Sequence, residues 1–294
     1  IFRKLKDWGR RRVHSTAFIC GKEPSKFMAG GNWFEGQFIK SQFEKLEKDL
    51  EINGYCNNLT TILSNKEFLL SCYNNIKYNL DKKTRDNIKE MWFEEVINTF
   101  RNGKFNFKPN RKIYISKRNN KLKLFISFSK DKIIQEALRT LLEFIFERYF
   151  RDSFYGFKAN KGCHTALKVL QSQYSRSIWF ITGNIEQSYF IKNHKILIKI
   201  LRTRIKDEPF IDLIYKYLKI YENSEMINSI KVELKQKKTL FPVLYNIYMH
   251  FFDIWMEDYL IPKYTKKNNK EVNLRNAKML LPTTTKDLNF QKVY

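Results

Sequence analysis

The sequence is poor in the residues that build metal-held or covalently cross-linked scaffolds. It contains 4 cysteines and 4 histidines among 294 residues, and they do not stand in the paired spacing of a zinc site. We therefore expect no bound zinc and interpret the cysteines as buried, reduced thiols in a reducing compartment. The cysteines are Cys20, Cys56, Cys72 and Cys163.

Acidic residues and long apolar runs are also scarce. Only 30 Asp and Glu stand against 55 Lys and Arg, which leaves a formal net charge of +25. That balance favours a nucleic-acid partner, because each phosphate neutralised by a basic side chain releases a condensed counterion. No apolar run reaches the about 18 residues of a membrane span, so we expect no membrane partner. The basic first 12 residues are not followed by the apolar core of a secretory signal.

Glycine and proline are few, with 10 and 6 residues, whereas Lys, Asn, Ile, Phe and Tyr are used heavily. This usage is typical of an AT-rich coding sequence and favours an organellar gene. We accordingly predict an organellar location, in the chloroplast stroma or the mitochondrial matrix.

Local patterns divide the chain into four parts. Residues 1–36 contain several helix breakers and no clear periodicity, so we interpret them as a basic extended arm. This arm is either a leftover targeting segment or a segment that enters RNA, and we favour RNA. Residues 37–128 show helical stripes and then a hairpin pattern, residues 129–260 are mostly helical, and residues 261–294 form a polar, basic tail.

The periodicity predicts an α+β fold that is largely helical with short antiparallel strands. One helical face carries Ile39, Phe43, Leu46 and Leu50, and Ser64 with Glu67 forms a capping box before the next apolar run. Further helices are predicted at 88–103, from 129 through 145, and at 163–174, 194–205, 210–221 and 243–259. Strands are predicted at 112–116, 121–126, 178–185 and 226–234.

Four motifs, in this order and spacing, resemble one known family, the group II intron reverse transcriptases and maturases. They are FKPNRKIYISK at Phe107–Lys117, DKIIQEA at Asp131–Ala137, YGFK with GCHTAL between Tyr155 and Leu167, and FPVLYNIYMH at Phe241–His250. The resemblance covers about Lys66 to Tyr294. It implies a fingers domain and a partial palm, which hold RNA and a growing DNA strand in active members.

The resemblance also implies a damaged metal site. Active relatives carry an aspartate where this chain has Asn184, and two catalytic Mg²⁺ ions need carboxylate ligands that an amide does not replace. Glu186 lies on the same strand face but about 6–7 Å further along, too far to substitute. We therefore expect no catalytic residues, no bound metal and no cofactor.

A second departure lies in the nucleotide pocket. Active members have proline, glutamine and two glycines where this chain has Lys235, Gln236, Lys237 and Lys238. Only Gln236 survives, and two lysine side chains would fill space that glycine leaves for the nucleotide. Asp287–Tyr294 resembles the lead-in to the second catalytic strand, but the sequence contains no pair of adjacent aspartates. Either the thumb and splicing domain are absent, or the gene product continues beyond Tyr294.

Three hypotheses of function follow from these patterns. The first is an inactive, RNA-binding structural part of an organellar ribonucleoprotein, with the ribosome and its RNA as the preferred particle. The second is an intron-splicing maturase without polymerase activity, which binds intron RNA. The third, an active polymerase, needs carboxylates from elsewhere. For RNA contact we select ten basic residues, each expected to make a modest phosphate contact. They are Arg10, Arg11, Arg12, Lys112, Lys117, Arg118, Lys158, Lys161, Lys199 and Arg202.

Overall fold

The computed structural model describes residues 37–80, 82–117, 120–156, 161–174, 181–185, 193–220, 240–265 and 288–292. Contacts divide them into two compact units. The larger takes in the described residues of Trp33–Tyr149 and Ile185–Trp255, and the smaller those of Phe150–Asn184 and Met256–Tyr294. The four parts predicted from the sequence stay a prediction. Within the described ranges, no helix has the length and apolar character needed to cross a membrane.

The N-terminal part of the larger unit is helical. Its helices α1 to α5 are Gln37–Ile52, Leu59–Leu63, Lys66–Ile76, Lys82–Asn87 and Glu90–Arg101. The stripe predicted on α1 is confirmed, because Ile39, Phe43, Leu46 and Leu50 are all buried. The predicted capping box is wrong. Asn65, rather than Ser64, caps α3, and its Oδ1 accepts the Phe68 N–H at 2.9 Å.

Two strands follow α5. Strand β1 (Arg111–Lys117) pairs antiparallel with β2 (Asn120–Ile126), with Arg111 opposite Ile126 and Lys117 opposite Asn120. The described residues are otherwise mostly helical, so the largely helical character that the periodicity predicts is confirmed. The finer assignment to an α+β fold of fingers and partial palm stays a prediction.

Helix α6 (Ser129–Phe146) forms the centre of the larger unit's core. It contacts α2, α3 and, further along the chain, α10 (Phe241–Ile254). Seven of its apolar residues are fully buried, which is what a helix packed on several sides requires; they are Ile133, Ile134, Ala137, Leu138, Leu141, Leu142 and Ile145. In its first turn, buried Asp131 accepts the Lys108 backbone N–H at 2.8 Å.

Charged groups also lie along α6. The Arg139 guanidinium donates to both Glu136 oxygens at 2.7 and 2.9 Å, and its Nη1 donates to Glu143 Oε1 at 2.9 Å. Glu136 is only 2% exposed. The arrangement satisfies a carboxylate that would otherwise be costly to bury.

The remaining helices of the larger unit are α8 (His194–Leu201), α9 (Glu208–Ile220) and α10. Helix α8 contacts both others. Its predicted end at residue 205 is wrong, because the N–H groups of Thr203 and Arg204 donate three residues back in a turn after Leu201. Ile205 then forms a parallel bridge with Cys56. A π-helical turn, Trp255–Leu260, follows α10. The predicted strand at 226–234 lies outside the described residues.

The smaller unit contains α7 (Cys163–Gln173), β3 (Ile181–Ile185), α11 (Ile261–Thr265) and β4 (Leu288–Lys292). Strands β3 and β4 pair in a two-stranded sheet. Arg151 forms ion pairs with Glu257 and Asp258 of the π-helical turn. No residue of α7 is buried.

The cysteines divide into two groups. Cys56 and Cys72 are buried free thiols, as expected, and burial raises the pKa of Cys56 to about 12. Cys163 is exposed at the start of α7, so its predicted burial is wrong. Cys20 lies outside the described residues. The described residues contain no cluster of His, Cys, Asp or Glu suited to a metal ion.

Candidate nucleic-acid interface

The positions that the resemblance assigns to catalysis are described only in part. Asn184 lies on β3, after the exposed Gly183. Beside β3 lies β4, the segment whose sequence resembles the lead-in to the second catalytic strand. Glu186 and Gln236 lie outside the described residues. The structure therefore pairs the backbones of the two strands that the resemblance assigns to the catalytic centre.

The predicted RNA contacts are distributed over the whole chain. Arg10, Arg11, Arg12, Arg118 and Lys158 lie outside the described residues. Lys112 and Lys117 lie on β1, for which the backbone is described. Lys161, Lys199 and Arg202 are described with their side chains.

Lys161 makes close contacts within the smaller unit. Its Nζ donates to the backbone oxygen of Asp152 at 2.6 Å and to the Asp152 carboxylate at 3.0 Å. The ammonium also lies 5.4 Å from the centre of the Tyr155 ring. These contacts join Lys161 to Asp152 and Tyr155, and a role in RNA binding stays a prediction.

Lys199 and Arg202 belong to one basic face in the larger unit. Lys195, Lys199 and Arg202 follow a spacing of four and three residues, which places them on the same side of α8 and its extension. All three are exposed, as is Lys206 just beyond. The opposite side of α8 buries Leu197, Ile198, Ile200 and Leu201 in the core. We call Lys195, Lys199, Arg202 and Lys206 the basic stripe.

Arg202 has a carboxylate partner. Its Nη2 and Nε donate to the two Glu208 oxygens at 2.8 and 3.0 Å, so the guanidinium is held as a planar fork. The hydrogen bonds raise the pKa of Arg202 and lower the pKa of Glu208. Both side chains are more than half exposed, and exposed pairs of this kind contribute little to stability.

The turn after α8 is fixed by contacts with residues far away in sequence. The Cys56 N–H donates to Arg204 O at 2.8 Å, and the Lys206 N–H donates to Cys56 O at 2.9 Å. Arg204 donates to Gly54 O at 3.0 Å, and its guanidinium lies 4.1 Å from the centre of the Tyr149 ring. These contacts join the turn to the segment that precedes α2.

The Asp207 carboxylate also joins the turn after α8 to the segment around the start of α2. Its Oδ2 accepts the Thr60 N–H at 2.7 Å, while its Oδ1 accepts the Thr60 hydroxyl at 2.8 Å and the Phe210 N–H at 3.1 Å. The carboxylate thus caps the first turns of α2 and α9 at once. Asp207 is 8% exposed.

A groove opens beside the basic stripe, where these segments meet. It has a volume of about 570 Å³ and is lined by Asn57, Asn58, Thr60, Thr61, Lys206, Asp207, Glu208 and Pro209. The Lys206 ammonium lies 5.7 Å from the centre of the neighbouring Tyr55 ring. One cation, two carboxylates and two amides therefore surround one open space, and the Tyr55 ring lies next to the cation. We call this space the corner groove.

Sequence reasoning selects Lys199 and Arg202 but misses Tyr55, Asn57 and Asn58. About 150 residues separate Asn57 from Lys206 along the chain. The hydrophilic run after Gly54 indicates only a loop, so nothing in the local pattern relates it to the turn after α8.

Comparison with known proteins gives a consistent set of relatives. No protein-family profile matches the chain. The chain is 32% identical over 230 residues to the putative COX1/OXI3 intron 1 protein of Saccharomyces cerevisiae, which covers 74% of this chain and 28% of that protein. It is 35% identical over 173 residues to the group II intron-encoded protein LtrA of Lactococcus lactis, covering 58% of this chain and 29% of that protein.

A plant protein is a more distant relative. Nuclear intron maturase 4, mitochondrial, of Arabidopsis thaliana is 23% identical over 218 residues, which is 73% of this chain and 27% of that protein. The chain therefore spans less than a third of the length of each of these three relatives.

Proposed function

We propose a function from one premise: the chain belongs to the family of group II intron-encoded reverse transcriptases and maturases. On this premise we propose that it binds folded intron RNA and assists splicing without polymerising DNA. The observation that carries the proposal is the similarity over 230 residues to an intron-encoded protein, in a chain whose net charge is +25.

The proposed loss of polymerase activity rests on the sequence. Asn184 replaces a metal-binding aspartate, and Lys237 and Lys238 replace the glycines of the nucleotide pocket. An amide offers a neutral oxygen, which is a poor ligand for Mg²⁺. RNA binding does not need these groups, because folded RNA is held through phosphates, sugars and unpaired bases. The α+β fold of fingers and partial palm belongs to the same proposal.

The ribosomal role is the weaker of our first two hypotheses. The relatives described above are intron-encoded proteins and an intron maturase, so they favour intron RNA over ribosomal RNA as the partner. The name of the Arabidopsis maturase includes the word mitochondrial. That name supports an organellar location for this chain, as its residue composition suggests.

The bound RNA identifies the function directly. The tagged chain, cross-linked to RNA in the cells that make it and recovered under denaturing conditions, should carry intron sequences well above their abundance in total RNA. A tagged variant with alanine at Lys195, Lys199 and Lys206 should recover less of the same RNA. Enrichment of ribosomal RNA alone would reject the splicing proposal and support the ribosomal alternative.

A further inference from the structure

We propose that the basic stripe and the corner groove form one RNA-binding surface. The stripe follows the phosphates of an RNA strand, and the groove takes one unpaired base from that strand. This proposal deepens the proposed function and rests on its claim that the chain binds RNA. It adds the site and the form of RNA that the site selects.

The spacing of the stripe suits a single strand. Helix α8 rises about 1.5 Å per residue, so Lys195 and Arg202 stand about 10 Å apart along its axis, with Lys199 between them. All three side chains are exposed, while the far side of the helix is buried in the core. A rigid helix therefore presents a line of cations that a strand of phosphates can follow.

The Arg202 guanidinium is already held in a geometry that can bind a phosphate. Glu208 holds its guanidinium with two hydrogen bonds of 2.8 and 3.0 Å, and a phosphate accepts from the same two donors in the same fork geometry. Arg202 and Glu208 are both exposed, so replacing the carboxylate by a phosphate at Arg202 changes the free energy little. Glu208 thus competes with RNA for Arg202, and its removal should strengthen RNA binding.

The corner groove suits a base better than a phosphate. Asp207 and Glu208 line it, and their negative charges would repel a phosphate group. Asn57 and Asn58 offer both donors and acceptors, which match the edge of a nucleobase. A volume of about 570 Å³ lies in the range of small-molecule sites, about 300–1,000 Å³. Tyr55 is not a lining residue, but its ring lies next to one, with the Lys206 ammonium 5.7 Å from the ring centre, and we assign this ring to stacking on the base.

The two parts together select single-stranded RNA. A duplex keeps its bases stacked and can offer only its phosphates to the stripe, whereas a single strand can also place a base in the groove. Stacking of the base and hydrogen bonds to its edge should make the difference in affinity between single strand and duplex measurable. We expect the duplex to bind about fivefold or more weakly than a single strand of the same length.

The test uses the whole chain and two labelled RNAs. Fluorescence anisotropy measures the affinity for an unstructured strand of about 20 nucleotides, which is longer than the about 4–16 nucleotides of a typical single-strand site, and for the same strand in a duplex, over a series of salt concentrations. Lys199→Ala should lower the log-log salt slope on the single strand by about 0.7. The double variant Asn57→Ala with Asn58→Gly should weaken single-strand binding at least threefold and leave duplex binding unchanged. Glycine is chosen because Asn58 has a φ of 59°.

Two matched controls come from the same unit. Lys40 and Lys104 are exposed lysines outside the corner, and Lys40→Ala and Lys104→Ala should keep the wild-type slope and affinity. Glu208→Gln should bind the single strand more tightly than the wild-type chain. If the corner variants behave like the controls while the wild-type chain binds RNA, the site is wrong and the proposed function stands. If the wild-type chain binds neither RNA, the site is wrong, and the proposed function is then decided by the recovery of intron RNA from cells.

A second measurement needs no variant and so does not depend on variant folding. A single-stranded RNA containing 4-thiouridine, cross-linked to the wild-type chain by light, should label a peptide that contains Tyr55, Asn57 or Asn58. Labelling confined to peptides outside residues 54–61 and 195–209 would overturn the proposal.

Discussion

Single residues in the core show how this basic protein buries charge. Arg139 bridges Glu136 and Glu143 on consecutive turns of α6. Burial acts to lower the pKa of Arg139, but the two carboxylates outweigh it and raise that pKa. For Glu143, burial dominates over the attraction of Arg139 and raises the pKa from 4.5 to about 7. The group therefore titrates near neutrality in the folded chain.

This pKa predicts a dependence of stability on pH. Between pH 4.5 and 7 the folded chain holds a proton on Glu143 that the unfolded chain has released, so unfolding releases a proton. The contribution of Glu143 to the free energy of unfolding is therefore greatest at low pH and is lost as pH rises to 7. Urea unfolding at pH 5, 6, 7 and 8 measures the free energy of unfolding of the wild-type chain and of Glu143→Gln. Between pH 5 and 7 this free energy should fall with rising pH in the wild-type chain, with a slope of up to one released proton, and the variant should lack that slope. Identical slopes in both proteins would contradict the assignment.

The residue scale also shows where sequence reasoning succeeds. The exposure of Lys199 and Arg202 follows from their place opposite an apolar stripe, which the sequence displays directly. The Arg202–Glu208 ion pair and the contact between Tyr55 and Lys206 do not follow from the sequence pattern. They depend on the conformation of the turn after α8 and on its packing against a loop about 150 residues away, which local sequence patterns do not predict.

At the scale of elements, one carboxylate joins two helices. Asp207 accepts from the first turns of both α2 and α9, through Thr60 and Phe210. Helix α2 has only five residues, too short to be stable alone. Its position therefore depends on a group that belongs to another helix.

Loss of this double cap should destabilise the larger unit. Asp207→Ala leaves buried donors on two helices without an acceptor, so we expect the free energy of unfolding to fall by about 2–4 kcal/mol. Chemical denaturation followed by circular dichroism measures the change. Asp212→Ala is the control, since Asp212 is exposed and pairs with Lys216 only on the helix surface; its cost should stay below about 0.5 kcal/mol. Equal effects of the two substitutions would reject the role of Asp207.

The elements themselves are predictable to different degrees. The stripe of α1 defines its buried face, because 3.6-residue periodicity is a direct record of one-sided burial. Helix α8 ends earlier than its apolar pattern suggests, because the N–H groups of Thr203 and Arg204 donate three residues back in a turn after Leu201. The start of α3 was misplaced by one residue, because Ser64 and Asn65 are both good caps and only geometry decides between them.

At the scale of the whole molecule, the net charge and the proposed loss of polymerase activity agree with a binding role. A net charge of +25 strengthens binding to any RNA, and in our proposal Asn184 stands where the resemblance implies a ligand for Mg²⁺. The similarity to intron-encoded proteins does not locate the RNA-binding surface, so we assign that surface from individual residues.

Restoring one ligand should therefore not restore polymerisation. We expect the wild-type chain and Asn184→Asp both to leave a primer unextended on an RNA template with Mg²⁺ and nucleotides, because in our proposal the side chains of Lys237 and Lys238 take the space of two pocket glycines. Gel analysis of a labelled primer measures this, with an active group II reverse transcriptase as the positive control. Extension by either protein would show that the pocket is open.

The bridge between Cys56 and Ile205 has a consequence for biosynthesis. It closes a long loop, and long-range closures form slowly because the entropy of the intervening chain opposes them. During translation, the corner cannot assemble until the chain beyond α8 has left the exit tunnel. A nascent chain truncated before that point would have the loop around Tyr55 but not the turn after α8 that packs against it, so the corner groove forms only in longer chains.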